Sequence, residues 1–448
     1  MVTRNRIKLS EKQVALIWQQ VVGKELTSTE GEPIEVIYPG RTNGDHGPDF
    51  RDAVIVSKSN LMQGDVEIHV KSGDWYSHGH HCDAKYNNII LHTVLWHDRH
   101  PPTLLQNGKS VPVLCLAQAL QHQAYLLPHQ LPCFQILNHM DRQTLRKLLN
   151  AAGEERFKQK AMHFQTEILR PDSNGTQKEE ARQVLFQGMM RALGYAKNTK
   201  PFKELADRMP LNIIEAREGL ALKQALLLGT AGLLPSQRWQ GTFAAEKEVQ
   251  ELEQLWESAG KEVKTMKEGD WNFSHIYPNN SPVRRIVALS YLIERYYEGT
   301  LLAGILQLVK EAPLPAGHRV LENGLTVASD GYWRNHFDFD VASKTKMPRI
   351  KYGALLGNSK AAEILVNVVL PFAFSWGEIT NEARLAEKAM GLYRDYPRLA
   401  EHFITRHMTK QLSLEEFPDF TACHQQGLIH IFRNYCCEGR CSQCSLVS

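Results

Sequence analysis

Residues 47–75 read GPDFRDAVIVSKSNLMQGDVEIHVKSGDW, and this stretch decides the fold of the first part of the chain. DAVIVSK (52–58) and LMQGDVEIHVK (61–71) are rich in β-branched residues and flank SKSN (57–60), a turn composition, so together they read as a β-hairpin. Side chains alternate across a strand, which sends Val66, Ile68 and Val70 one way and Asp65, Glu67, His69 and Lys71 the other. A turn near Lys58 and Ser59 sets Asp49 close to Ile68 and diagonally beside Glu67 and His69. Two readings stand: the solvated outer face of a half-buried sheet, or a metal-dependent catalytic site.

The catalytic reading has a chemical rationale. Phosphodiester hydrolysis uses carboxylates to hold Mg²⁺ or Mn²⁺, which polarises the phosphate and lowers the pKa of a bound water. A neighbouring base or cation then orients or deprotonates the nucleophile. Asp49 and Glu67 supply the carboxylates, His69 and Lys71 the base and cation, and Asp65 supports them. The density of such groups favours chemistry: eight of the nineteen histidines fall between residues 46 and 100.

Outward from the hairpin, PIEVIY (33–38) alternates as a strand, while NNIILHTVLW (87–96) is continuously apolar, as a strand covered on both faces is. VPVLCL (111–116) adds another, and EKQVALIWQQVV (11–22) carries Val14, Ile17, Trp18 and Val21 at helical spacing. Beyond LLPHQLPC (126–133) the texture is helical, as in KEEARQVLFQGMMRALG (178–194), SPVRRIVALSYLIERYY (281–297) and KAAEILVNVVLPFAF (360–374). The expected class is α+β: a small mixed sheet followed by a larger, mostly helical region. The expected divisions are an N-terminal helix in 1–29, the α+β domain in 30–128, the helical region in 129–420 and a Cys-rich metal tail in 421–448.

With 448 residues, 43% hydrophobic, 23% charged and a net charge of +3, the composition is that of a soluble globular protein. That charge excludes a strongly basic surface, so any nucleic-acid groove is local. No segment reads as a bilayer span or a signal peptide. The expectation is a cytoplasmic protein without membrane partners, whose eight cysteines are therefore not disulfides.

Two further groups bear on metals. DWYSHGHHCD (74–83) holds His78 and His80, which with His69 or His92 suit Zn²⁺ or Mn²⁺; the plainer reading is a polar loop with one histidine capping a helix near DAKYNN. His92, in an apolar strand, reads as a hydrogen-bonded core histidine. At the C-terminus, Cys436, Cys441 and Cys444 are spaced C-x4-C-x2-C, and thiolates two residues apart readily share a soft metal. A fourth ligand is required from elsewhere, with Cys133 the first choice and Cys423, His430 and Cys437 as alternatives; Zn²⁺ and [4Fe–4S] both suit. Arg284 and Arg285 start a helix after an Asn- and Pro-rich loop, either a phosphate contact or a capping loop with a solvated face.

Pro48 and Asp49, the hairpin, and Glu67–His69 resemble the signature of the PD-(D/E)XK nucleases, which carry a metal-binding Asp and an acid-any-Lys tripeptide on adjacent strands. The resemblance implies that Asp49 and Glu67 are metal ligands, that His69 stands where lysine is usual, and that Lys71 can supply the cation. PGRTNGDHGPDFRDAVI (39–55), GDVEIHVKSGDWYSHGHHCDAKYNNIILHTVLWHD (64–98) and the terminal cysteines together resemble, over nearly the whole chain, a bacterial domain-of-unknown-function family. The distant cysteine ligand resembles the [4Fe–4S] staples of some recombination nucleases, although the spacing differs. The functional expectation is a Mg²⁺- or Mn²⁺-dependent nuclease on DNA or RNA. Alternatives are a non-catalytic nucleic-acid scaffold with a decayed site, and a His-liganded metal hydrolase centred on His69, His78 and His80.

Overall fold

The computed structural model describes residues 10–23, 25–58, 60–98, 102–117, 133, 136, 140–170, 175–195, 197–239, 246–260, 262–274, 276, 280–339 and 353–447. The chain divides into two compact units. The sheet unit spans Met1–Leu148, Glu401–Phe417 and Leu428–Ser448; the helical unit spans Leu149–Ala400 and Pro418–Gly427. The architecture is mixed α+β, an N-terminal sheet followed by a larger helical region, as the patterning implied.

The sheet unit opens with α1 (Glu11–Trp18) and continues through β1 (Glu25–Thr27), β2 (Pro33–Tyr38), β3 (Arg41–Thr42), β4 (Phe50–Ser57) and β5 (Asn60–Lys71). After α2 (Asp74–Ser77) come β6 (Ile89–Trp96), β7 (Thr103–Leu104), β8 (Ser110–Val111) and β9 (Val113–Cys115). The main sheet runs β1-β2-β4-β5-β6-β9, with β3 beside β4, while β7 and β8 pair separately. Pairing is antiparallel from β1 to β5, then parallel from β5 to β6 and from β6 to β9.

The hairpin has the expected register: Ser57 faces Asn60 and Ala53 faces Gly64. Lys58 adopts a φ of 50°, which suits the twist of a two-residue turn. The register then shifts by one between Phe50 and Ala53. Asp52 forms this bulge with a φ of 59°, and the buried Asp65 carboxylate accepts its N–H at 3.1 Å. Gly64 is required where β5 meets β6, because a Cβ there would stand 2.4 Å from Ile90 Cγ2 and 2.6 Å from the Asn88 carbonyl.

The two faces of β5 are both covered. Val66 and Ile68 share a core with Val14 and Trp18 of α1, as the alternation predicts. The polar face is not solvated: Asp65, Glu67 and His69 are 4%, 5% and 1% exposed. The cause is topological. Parallel pairing requires the chain leaving Lys71 to return to Ile89, which pairs with Asp65. Residues 72–88 make that return and bring Trp75 and Tyr86 into a small core with Ile89.

The helical unit is built around one large apolar core that includes Leu185, Leu227, Leu289, Ile305 and Phe372. Its stretch Asn358–Ile379 is, by length and composition, apolar enough to cross a bilayer, contrary to the expectation that no segment would be. Most of it is buried within the protein, and Ile364, Leu365, Val369 and Phe372 belong to the core. The phosphate-contact reading of Arg284 and Arg285 is also corrected. Arg284 is fully buried and donates to the carbonyls of Trp333, His336 and Gly353 at 2.8, 2.5 and 2.8 Å. Arg285 donates to the Leu355 carbonyl at 2.7 Å. Both arginines tie loop carbonyls to the helix Pro282–Arg295.

Candidate functional site

β5 supplies Glu67 and His69 on one face, β4 begins one residue after Asp49, and the return from β5 to β6 supplies His78 and His80. α2 ends at Ser77, and Gly79, two residues on, has a left-handed φ of 77° that turns the chain back sharply. Asp83 then caps the turn Ala84–Tyr86 by accepting the Lys85 N–H at 2.9 Å, so an aspartate rather than a histidine does the capping there. His80 is thereby brought over β5.

One ring nitrogen from each of His69, His78 and His80 lies within 4.8 Å of the other two. His80 Nε2 is 3.2 Å from Glu67 Oε1, and His69 Nε2 is 3.7 Å from the same oxygen. Asp49 is joined to this group through the backbone: its N–H donates to Glu67 Oε2 at 3.0 Å, and its carboxylate accepts the Ile68 N–H at 3.0 Å. Aromatic rings frame the cluster, with Tyr86 tilted against His80 at 4.0 Å and Trp75 at 5.5 Å from it between ring centroids.

His69 is oriented from behind. Its Nδ1 is 2.9 Å from His92 Nε2, and His92 Nδ1 is 2.8 Å from Thr103 Oγ1. Its other nitrogen, Nε2, is buried with no hydrogen-bond partner. A ligand histidine has this arrangement: one nitrogen held by a hydrogen bond, the other left as a lone pair. Burial, then the neighbouring His92, His80 and His78, push the His69 pKa down to about 2. Burial likewise takes His92 down to about 3. Both rings are therefore neutral near pH 7, and His69 carries no fixed charge.

Burial pushes the Glu67 carboxyl up to about 7; the hydrogen bond from His80 opposes the rise and the Asp49 charge adds to it. Burial also raises Asp49, against the pull of the Ile68 N–H. These are carboxyl groups poised to gain an electrostatic partner.

The structure thus gathers Asp49, Glu67, His69, His78 and His80. Asp65 serves the bulge, with its hydrogen bond to Asp52. Lys71 lies exposed at the end of β5, where its N–H donates to Asp74 at 3.0 Å and its charge acts on Asp98. Sequence reasoning did not place Glu11, an electrostatic neighbour of His78, Asp49 and His80, or Tyr86, which feels the Glu67 charge. Neither carries a motif, and only the fold brings them close.

The cysteines form a second group within the sheet unit: Cys436 has Cys133, Cys441 and Cys444 as electrostatic neighbours. Cys423 is instead buried in the helical unit beside the Asn150 carbonyl.

No curated protein and no solved structure matches the chain. A family match covers residues 11–402, which includes every residue of the histidine–carboxylate cluster and stops short of the terminal cysteines. On that match the chain belongs to the family described as "Protein of unknown function (DUF2851)".

Proposed function

We propose that the protein is a metal-dependent hydrolase whose ion is held by His69, His78 and His80, with Glu67 beside it. The observation that carries this reading is the convergence of three imidazole nitrogens within 4.8 Å, one of them the unpartnered buried Nε2 of His69. Imidazole donors favour Zn²⁺ over Mg²⁺, and the Glu67 carboxylate is an oxygen donor that also suits Mn²⁺. When bound, such an ion supplies Lewis acidity and a water of lowered pKa. Glu67, raised to about 7, is placed to accept a proton at Oε1 near neutral pH, and His80 holds that oxygen in position. Trp75 and Tyr86 limit water around the cluster.

Phosphodiesters of DNA or RNA are the first substrate class to examine. The support is that Asp49, immediately before β4, and Glu67, on the adjacent β5, are linked through the Asp49 N–H. The PD-(D/E)XK likeness rests on these few residues. In that reading His69 acts as a neutral ligand and not as a substitute for the lysine, because its burial disfavours a charge.

The test is hydrolysis of single- and double-stranded DNA and RNA, and of an activated phosphodiester, with Mn²⁺ or Zn²⁺ added to chelator-treated protein. Metal-restored hydrolysis is expected, falling about 10²–10⁴-fold in Glu67→Gln and disappearing in His80→Ala. Equal rates in wild type and Glu67→Gln would remove Glu67 from the mechanism; hydrolysis indifferent to metal would remove the ion.

A further inference from the structure

The geometry points to a second metal centre, formed by the thiolates of Cys133, Cys436, Cys441 and Cys444, that pins the C-terminal segment onto the sheet unit. This centre is separate from the histidine cluster and does not depend on the hydrolase reading.

Four observations carry it. Cys133 and the three terminal cysteines are some three hundred positions apart in the chain, yet lie in one compact unit. Cys133 has Cys441 and Cys444 as electrostatic neighbours, and Cys436 has all three. All four are unbridged thiols, with Cys133 and Cys444 buried at 8% and 5% exposure.

The second observation is local backbone form. The Gly439 N–H bonds the Cys436 carbonyl at 3.2 Å, and the Cys444 N–H bonds the Cys441 carbonyl at 3.1 Å. Each of these cysteines therefore begins a tight turn, and the left-handed Gly439, with φ 61°, permits the first of them.

The third is hydrogen bonding to sulfur. Gln411 Nε2 donates to Cys133 Sγ at 3.9 Å, and the Leu446 N–H donates to the Cys444 thiol. Donors directed at sulfur stabilise thiolates bound to a metal.

The fourth is discrimination among the cysteines. Cys437 follows Cys436 directly and acts on it electrostatically, but its own neighbours are Arg433, Glu438 and Asp52, with none of Cys133, Cys441 and Cys444 among them. It is turned to a different set of groups.

The occupant is a thiophilic metal, either one Zn²⁺ or an iron–sulfur cluster, which share the four-thiolate shell. Among the described residues no three of the thiols come within 4.8 Å of one another. Sulfurs on one tetrahedral Zn²⁺ stand about 3.8 Å apart, given a Zn–S bond near 2.3 Å. A zinc ion therefore requires the thiols to draw in, whereas a cluster, with several irons between the sulfurs, does not. Binding deprotonates the thiols and releases their protons to solvent.

Its mechanical role follows from what the segment packs on. The Tyr38 ring of β2 meets His407 and Phe432 edge-on, with centroids 4.9 and 5.1 Å apart, and Gly439 lies beside Leu61 of β5. The centre locks this packing at the segment's far end.

The test measures zinc, iron and acid-labile sulfide in full-length protein purified without chelator, for wild type and for Cys133→Ser, Cys441→Ser and Cys437→Ser. The expected result is that Cys133→Ser and Cys441→Ser lose the same metal complement, while Cys437→Ser keeps it. Iron with sulfide and a brown colour identifies a cluster; colourless zinc identifies a single ion; both support the centre. Retention of the full complement by Cys133→Ser overturns the proposal. Because a variant that fails to fold would also lose metal, the wild type is titrated with a thiol reagent before and after metal removal. Metal removal is expected to expose four additional thiols and to speed tryptic cleavage at Arg433 and Arg440; an unchanged thiol count overturns the proposal.

Discussion

His69 is held at Nδ1 by His92 and has its Nε2 buried and unpartnered; with the shared proton on His69 Nδ1, the Nε2 lone pair is the one available beside His78 and His80. His92→Phe leaves that Nδ1 without its partner while keeping the volume. Metal affinity is expected to fall about 10–100-fold, read by competition with a chromophoric chelator; unchanged affinity would show that His69 is not a ligand oriented through His92. Glu67 gives a second prediction. With its pKa near 7 in the metal-free protein, Glu67 is mostly protonated at pH 6. A cation favours the carboxylate, so metal binding at pH 6 releases a proton that is not released by Glu67→Gln. Calorimetric titrations in two buffers of different ionisation enthalpy count that proton. Asp49, Glu67 and His69 were legible in the sequence as one face of a hairpin. The His80–Glu67 contact was not, because it depends on how residues 72–88 cross that face.

At the level of elements, alternation in β4 and β5 sufficed to place the hairpin and its register as far as Ala53. The shift at Asp52 was not legible, since a bulge leaves no mark on hydrophobic period. Nor was the burial of the polar face, which follows from the parallel pairing of β5 with β6 and from the return that pairing imposes. Gly64→Ala tests the close approach of these strands: with a Cβ 2.4 Å from Ile90, stability is expected to fall by about 1–3 kcal/mol in chemical denaturation. The helix Phe403–Gln411 provides a pH test. His407, half-buried against Tyr38, has its pKa lowered to about 4, chiefly by desolvation and further by Lys410. A depressed pKa gives stability that is complete above the unfolded value near 6.5 and is lost as pH falls toward 4. His69 and His92 act in the same sense. Glu67 acts oppositely: its raised pKa gives stability present below about 4.5 and lost as pH rises through 7. Three depressed histidines outweigh the raised carboxyls, Glu67 foremost and Asp49 with it, and make the metal-free protein less stable at pH 5 than at pH 7.5, as measured by denaturant midpoints; the reverse order would contradict the neutral state of these rings.

Over the whole molecule, the change from strand to helix texture revealed the α+β class. The membership of 401–417 and 428–448 in the sheet unit was not legible, because the contacts that define it link residues hundreds of positions apart. The same distance left Cys133 as the first choice among several candidate partners for the terminal thiols. Asn358–Ile379 shows the opposite limit: its composition alone fits a bilayer, and only the surrounding core shows where its apolar surface goes. The central claim is that the His69, His78 and His80 nitrogens converge to hold a metal beside Glu67. Anomalous difference density from crystals of the full chain soaked with Zn²⁺ or Mn²⁺ tests it most directly. A peak bonded to His69 Nε2 and to ring nitrogens of His78 and His80, within about 2.0–2.2 Å of each, is the expected result. Metal found only at the cysteines, with the histidine cluster empty, would contradict it.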